Sequence, residues 1–529
     1  MQIIIPMSGS GDRFIRAGYT APKPLIEVDG KPMIEHVVRL FPGEKDFTFI
    51  CNSLHLEGTH MRETLERIAP GCRVVSVEQK KLGPVYAVLQ AEKFIRDAEP
   101  AIVNYCDFFA KWDYSDFKET VARLKCEGCI TAYRGFHPHS LGSTYYAYMR
   151  ADNENRMLEI REKEAFTINR MQEYASAGTY YFSRGAYVKK YFRELMEKKI
   201  SKNGEYYASL AYNLMNHDGL FTHVYELEKF LQWGTPEDLA EYRWWSEAFA
   251  LKAAPQKTSL GSLSRELQMV VPMAGAGSRF AKGGYAVPKP LVPVSGKPMF
   301  VQAVSDLPKA ASTNFIVQKG ATEDVRAHAD KYFPGCRFIE IGGLTEGQAS
   351  TVLLSKPSLD PDLPLFVAPC DTGFIWDAHE FAKIASDKSV DCCVWAFTNY
   401  VPAARNPNAY GWLKMGKENE VNAVSCKKPV SQHPITDLGV TGAFYFSRAG
   451  LFFQAAESMI NKNRRINNEF YVDECINELI EAGKKVKAFT VLKYLCWGSP
   501  DELRTYDYWQ EYFDSSKEHP YKKSADEDF

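Results

Sequence analysis

The sequence lacks any charge excess and any long apolar run. Lysine and arginine number 64 against 66 aspartates and glutamates, a formal net charge of −2. That near-balance gives no general attraction to nucleic acid or to an anionic membrane. No apolar segment approaches membrane-spanning length, and the first residues lack the basic and apolar regions of a signal peptide. The expected location is the cytoplasm. The 12 cysteines are scattered, several inside apolar strand-like runs (Cys51, Cys106, Cys370, Cys393). Buried free thiols in a reducing compartment are the reading of that distribution. Cys126 and Cys129 have a CxxC spacing, but no second cysteine pair or histidine pair accompanies them, so no zinc site is expected.

What the sequence does have is a duplicated loop. Pro6 to Leu25 reads PMSGSGDRFIRAGYTAPKPL, and Pro272 to Leu291 reads PMAGAGSRFAKGGYAVPKPL. In both copies an apolar run feeds a glycine loop, then an arginine, then Pro-Lys-Pro-Leu. Glycine lets backbone N–H groups approach a phosphate closely, because it has no Cβ to hold the ligand away. Arg13 and Lys23, repeated as Arg279 and Lys289, add fixed positive charge for a polyphosphate.

The repeat runs through nearly the whole chain. Gly9, Gly11, Lys23 and Pro32 recur 266 positions later, at Gly275, Gly277, Lys289 and Pro298. Gly83, Asp107, Gly178, Glu205 and Trp233 recur 264 positions later, at Gly347, Asp371, Gly442, Glu469 and Trp497. With 529 residues available, this is a duplicated domain of roughly 250 residues and not a short-period solenoid. The expected division is a first domain over 1–250, a linker over 251–267, a second domain over 268–514 and a loose tail over 515–529.

Within each half, short apolar runs alternate with helical patterns. Strands are expected at Gln2–Pro6, Phe47–Cys51, Arg73–Val77 and Ala101–Cys106. Helices are expected at Lys31–Phe41, Glu57–Ile68 and Val85–Arg96. This alternation predicts an α/β fold with a mostly parallel sheet flanked by helices. Ligands of such sheets sit at the carboxyl ends of the strands, where the glycine loop and Asp107 both belong. Beyond Asp107 the aromatic-rich pattern predicts a more antiparallel, substrate-facing portion.

These motifs resemble the sugar-phosphate nucleotidyltransferase family. The resemblance rests on Gly9–Arg13, Pro22–Leu25 and Gly30–Met33, and on Gly275–Arg279, Pro288–Leu291 and Gly296–Met299. It covers nearly all of both halves and implies two tandem Rossmann-like (GT-A-like) domains. Leu344–Val352 and Asn468–Tyr471 resemble a bacterial branch associated with capsule and surface-polysaccharide genes. Asn203–Tyr207 resembles a run found in uridylyltransferases.

The resemblance implies that an NTP and a phosphorylated substrate give an NDP-substrate and pyrophosphate. A pyrimidine nucleotide is favoured, and the substrate is a sugar 1-phosphate or another phosphorylated alcohol. Arg13 and Arg279 would hold the β- and γ-phosphates, and Lys23 and Lys289 the α-phosphate. Asp107 and Asp371 would bind Mg²⁺. Ser8, Gly9, Gly11, Gln79 and Gly83, with Ala274, Gly275, Gly277 and Gly347, would line the nucleotide site. Glu162, Lys163, Gly178 and Glu205, with Lys427, Gly442 and Glu469, would face the phosphorylated substrate.

Two departures stand out. Family members often carry a second metal-binding Asp before a Gly-Thr-Pro turn, but Gln232-Trp-Gly-Thr-Pro and Cys496-Trp-Gly-Ser-Pro have no carboxylate there. Glu205 and Glu469 are the available compensation, or one carboxylate suffices. The usual Glu-Lys of the substrate side stands as Glu162-Lys163 in the first half and as Cys426-Lys427 in the second. Loss of that charged acceptor should change or abolish substrate recognition in the second half.

Two other classes compete with a two-site enzyme. One is a nucleotide-binding regulatory or scaffold protein with one or both halves inactive. The other is a glycosyltransferase of related fold, although the expected Asp-x-Asp is replaced by Asp107-Phe-Phe and Asp371-Thr-Gly. The tandem halves would form an intrachain pseudo-dimer, or the chain a homo-oligomer. No nucleic acid and no membrane is expected as a partner.

Overall fold

Nine strands of the first half assemble into one sheet: β1 (Gln2–Met7), β2 (Asp46–Asn52), β3 (Arg73–Val77), β4 (Ala101–Asn104), β5 (Gly128–Tyr133), β6 (Ala147–Ala151), β7 (Met157–Glu162), β8 (Tyr174–Phe182) and β9 (Thr222–Glu226). They belong to a computed structural model that describes residues 1–320 and 322–526. The spatial order is β7-β6-β8-β4-β1-β2-β3, with β5 beside β8 and β9 beside β5. Strands β3, β2, β1 and β4 run parallel, whereas β8 is antiparallel to β4, β5 and β6. Strand β1 is buried along its whole length, as a parallel strand covered on both faces must be. The mixed sheet and its antiparallel portion after Asp107 agree with the sequence reading.

The second half repeats the architecture with β10 (Gln268–Pro272), β11 (Ser312–Gln318), β12 (Arg337–Ile341), β13 (Leu365–Val367), β14 (Cys392–Phe397), β15 (Trp412–Met415), β16 (Val421–Ser425), β17 (Gly439–Phe446) and β18 (Val486–Thr490). Its order is β12-β11-β10-β13-β17-β14-β18, with the β15-β16 hairpin attached through β15 to β17. In each unit the residues after the metal-candidate aspartate form a separate two-stranded ladder. Phe108–Lys111 pairs with Lys229–Gln232, and Thr372–Ile375 pairs with Lys493–Cys496. These ladders bring the Gly-Thr-Pro and Gly-Ser-Pro turns back beside Asp107 and Asp371.

Several element boundaries differ from the sequence reading. The expected helix Lys31–Phe41 begins only at Met33, because Lys31–Pro32 pairs as a short strand with Glu27–Val28. Glu57–Ile68 resolves into Ser53–Gly58 and Met61–Ile68. The helix expected over Val85–Arg96 ends at Gln90, and Glu92–Phe94 is a 3₁₀ turn.

The chain forms two compact units, Met1–Arg243 and Trp244–Phe529. The division falls inside the helix Pro236–Lys252. Residues of the expected linker pack onto the second unit: Leu267 is fully buried, Gln256 Nε2 donates to Asp306 O, and Lys309 N donates to Thr258 O.

The described part of the tail is folded, not loose. Tyr521 is fully buried, its ring 4.7 Å from that of Phe249. Gln510 Nε2 donates to Tyr521 Oη at 2.6 Å, Tyr521 Oη donates to Asp526, and Lys252 pairs with Asp526. The polar composition of the tail concealed one aromatic anchor and one buried carboxylate with three donors. Replacing Tyr521 by Ala leaves a cavity and strips Asp526 of a donor, and should cost the second unit about 3 kcal/mol. Hydrogen exchange in the helix Pro500–Ser515 under rising urea would register the loss; unchanged protection would contradict the packing role.

Candidate active site

Each unit builds its site at the carboxyl edge of its parallel strands. After β1 the chain enters the loop Ser8–Gly11, and Gly11 adopts φ 72° to turn into the short helix Asp12–Arg16. Gly277 does the same with φ 60° before Ser278–Lys282. The left-handed conformation is the physical reason for glycine at these two positions. Phe14 and Phe280 anchor the short helices in the core, leaving Arg13 and Arg279 exposed.

The Pro-Lys-Pro-Leu segments fold as 3₁₀ turns, Lys23–Leu25 and Lys289–Leu291. Proline fixes φ on both sides of each lysine and so restricts where the ammonium can point. Lys23 Nζ donates to Asp107 Oδ2 at 2.6 Å and to Gly234 O at 3.0 Å. Lys289 Nζ bonds Asp371 Oδ2 in the second unit. The two pairs span 84 and 82 residues of sequence and join the loop after the first strand to the end of the central strand.

Burial opposes both charges of the second pair. It pushes Lys289 down, but the Asp371 carboxylate more than offsets this and holds the lysine above its ordinary value. Burial likewise pushes Asp371 up, while Lys289 and then Arg279 hold it below the ordinary carboxylate value. Arg279 therefore faces this pair electrostatically. In the first unit Arg13 faces Tyr207, whose hydroxyl is pushed up first by burial and then by Glu205.

Gly83 and Gly347, expected on the nucleotide side, each have a close neighbour. A Cβ on Gly83 would lie 2.6 Å from Tyr206 O, and one on Gly347 would lie 2.4 Å from Phe470 N. Both glycines have positive φ. The segments 203–207 and 467–471 thus pack directly on these turns, with Val85 N and Ala349 N donating to Tyr206 O and Phe470 O. In the preceding loop, Asn52 Nδ2 donates to Gln79 Oε1 at 3.3 Å. The second unit has Gly343 in place of Gln79, and Gln318 Nε2 instead donates to Ala274 O at 2.8 Å.

Among the residues expected to face the substrate, Lys163 Nζ bonds Tyr207 Oη, which in turn bonds Glu205. Glu205 therefore belongs with Lys163 and not with Asp107. Glu162 is nine-tenths buried and accepts from Ser209 Oγ at 2.6 Å; burial pushes its carboxyl up. Gly178 has φ 93°, and a Cβ there would lie 3.2 Å from the Tyr105 ring, whereas Gly442 is less crowded, with Pro369 at 3.8 Å. Lys427 Nζ bonds Ala409 O, 5.3 Å from its ammonium to the Tyr471 ring centre. Burial and then Glu469 push the Tyr471 hydroxyl up.

Sequence reasoning missed the carboxylates on the far side of the Gly-Thr-Pro and Gly-Ser-Pro turns. Glu502 Oε2 accepts from Ser499 Oγ at 2.8 Å, and Oε1 accepts from Tyr410 Oη at 2.9 Å. A Cβ on Gly498 would lie 3.4 Å from Asp371 Oδ2 and 3.5 Å from Glu502 Oε2, so both carboxylates border that glycine. Its first-unit counterpart, Asp238, accepts from Thr235 Oγ1 at 2.7 Å. The Ser-x-x-Glu and Thr-x-x-Asp spacing at a helix start was the available signal, and it reads first as capping. Among the described residues no group of three or more His, Cys, Asp or Glu side chains could hold a metal by itself. No helix among them is long and apolar enough to cross a membrane.

The same arrangement of glycine loop, lysine and strand-end aspartate stands in both units. The nucleotidyl transferase family model matches residues 2–241 and again 269–511, and the chain belongs to that family. The bifunctional sugar-1-phosphate nucleotidylyltransferase/acetyltransferase of Sulfurisphaera tokodaii is 28% identical over 222 residues, 41% of this chain and 48% of that protein. The bifunctional protein GlmU of Methanocaldococcus jannaschii is 26% identical over 206 residues, 39% of this chain and 44% of that protein. The chain spans less than half the length of these curated relatives. Among solved structures, a nucleoside-diphosphate-sugar pyrophosphorylase from Vibrio cholerae RC9 is 20% identical with a TM-score of 0.38, covering 45% of this chain and 97% of that one. The inositol-1-phosphate CTP transferase of T. maritima is 15% identical with a TM-score of 0.37, covering 47% and 97%.

The depressed Asp371 has a consequence for acid stability. A carboxylate whose folded pKa lies below its unfolded value contributes stability that is present above the unfolded pKa, near 4, and lost as pH falls through the folded one. The second unit should therefore weaken from about pH 4 downward. Asp371→Asn should flatten this acid limb in urea unfolding measured from pH 6 to pH 3; an unaltered limb would refute the assignment.

Proposed function

We propose that each unit transfers a nucleotidyl group from an NTP to a phosphorylated small molecule, releasing pyrophosphate. The observation that carries this reading is the lysine–aspartate pair beside a glycine loop, built alike in both units from residues more than 80 positions apart. The substrate would be a sugar 1-phosphate or another phosphorylated alcohol, and the product a precursor for capsule or surface glycan. A pyrimidine NTP is favoured.

The nucleophile is a phosphate oxygen of the substrate, already anionic near neutral pH, so no general base is required. The protein's task is to align the attack on the α-phosphorus and to balance charge. Lys23 and Lys289 would turn from their aspartates to the α-phosphate, where charge accumulates in the transition state. Arg13 and Arg279, exposed beside the glycine loops, would hold the departing β- and γ-phosphates. Lys163 and Lys427 would hold the substrate phosphate.

Asp107 and Asp371 offer hard carboxylate oxygens that are a quarter to a third exposed, 29% and 26%. One carboxylate, supplemented by phosphate oxygens and water, suits Mg²⁺, which rarely takes an all-protein cage. Asp107 and Asp371 would hold the ion, with Glu502 bordering the second site. When bound, it would neutralise phosphate charge and release the lysines from their aspartates. The two base-side loops differ at Gln79 and Gly343, which supports different NTP preferences in the two units.

The test is pyrophosphate release over a matrix of NTPs and phosphorylated substrates with Mg²⁺, comparing wild type with Asp107→Asn and Asp371→Asn. Each substitution should reduce one NTP–substrate pair at least about 10²-fold and spare the other. Loss of all turnover in Asp107→Asn alone would make the second unit a binding copy. No turnover in any pair, with nucleotide still bound, would overturn the proposal in favour of a regulatory protein.

A further inference from the structure

The missing glutamate of the second unit is replaced from another element. In the first unit Glu162 ends β7 directly opposite Ala147 of β6, and its carboxylate takes the Ser209 hydroxyl. The three positions recur 264 residues later as Cys426, Gly411 and Asp473. Glutamate has become cysteine while serine has become aspartate. The carboxylate has moved from the strand end to the first turn of the helix Val472–Glu481.

Its surroundings show that the move is accommodated. Asp473 is nine-tenths buried. A Cβ on Gly411 would lie 2.1 Å from Asp473 Oδ2, so the alanine of the first unit could not stand there. Gly411 has no positive φ to require glycine, which leaves the close approach of the carboxylate as the reason. Lys427 acts on Asp473 electrostatically, as Lys163 acts on Glu162. Three substitutions thus keep one buried carboxylate beside one lysine.

The exchange also changes volume. Strand-side bulk is lost at Glu162/Cys426 and at Tyr145/Ala409, while the space left at Gly411 is taken by Asp473. The Asp473 carboxylate is buried and has acceptor capacity for hydroxyl donors, which buried acceptors need. A hydroxylated ligand whose phosphate rests on Lys427 would supply them.

We infer that Asp473 is the substrate-recognising carboxylate of the second unit, accepting hydroxyl donors from a phosphorylated polyhydroxy compound bulkier than the substrate of the first unit. This assignment rests on the proposed reaction only for its kinetic readout. Both sites hold one buried carboxylate, but on different elements and with different room, so the two units discriminate between substrates.

The test uses the full chain with Asp107→Asn, so that only the second unit turns over. Asp473→Ser and the near-isosteric Asp473→Asn should each raise KM for the phosphorylated substrate about 10- to 100-fold. KM for the NTP should change less than about threefold, which a merely structural role would not predict. The triple variant Gly411→Ala, Cys426→Glu, Asp473→Ser should bring the first unit's substrate into use. An unchanged KM in both Asp473 variants would overturn the assignment. If the second unit has no turnover, the proposed reaction fails there, and calorimetric binding of sugar 1-phosphates and polyol phosphates to Glu162→Ala decides separately. Binding lost in Asp473→Asn supports the assignment; binding retained at the same Kd, or no binding before the substitution, defeats it.

Discussion

The contact between Lys23 and Asp107, repeated as Lys289 and Asp371, is the constraint on which both units turn. It ties the loop after the first strand to the end of the central strand. A half-buried lysine without that carboxylate would leave a poorly compensated charge, and the same holds for the aspartate. The contact is also replaceable, because phosphate oxygens and a cation offer each partner what the other now supplies. On the proposed reading, such a pair holds the lysine and the aspartate where phosphate and cation would meet them. The proline on either side of each lysine makes the exchange a small movement of the side chain and not of the loop.

Much of this was legible in the sequence because the duplication supplied an internal comparison. Gly11, Lys23 and Asp107 each had a partner at a fixed offset, so their loop and strand-end positions could be read from one copy and checked against the other. The parallel core strands were legible as short apolar runs between helical patterns. Shorter elements were not. The Lys31–Pro32 strand exists only because Glu27–Val28 lies across from it, and a pairing between neighbours leaves no periodic signal. The tail was misread for a related reason: its order depends on Tyr521 and Asp526 meeting Gln510 of the preceding helix, and Phe249 and Lys252 far back in the sequence.

The candidate site was legible where the residue type alone signals chemistry and obscure where a role passes between elements. Arginine and lysine beside glycine loops announce an anion site. Glu502 does not, because Ser-Pro-Asp-Glu at a helix start is sufficiently explained by capping. Cys426 was read as a lost acceptor because the sequence comparison runs position by position. Only the fold places Ser209 beside Glu162, and Asp473 beside Cys426, 47 residues away in each case.

That distinction bears on what a duplicated domain can conserve. Arg13, Lys23 and Asp107 recur at matching positions in both units, as the proposed reaction requires, since a polyphosphate would present the same charge to each and tolerate little displacement of its ligands. The polyhydroxy side conserves the sum of charge and not its position. A buried carboxylate next to Lys163 or Lys427 balances the lysine when the site is empty, so deleting it outright would cost stability as well as recognition. Moving it to the facing helix meets the electrostatic requirement while the strand side is freed to change size. Divergence of specificity is thereby permitted along one path, a compensated exchange, and Gly411 marks it by giving up even the single Cβ that the new carboxylate displaces.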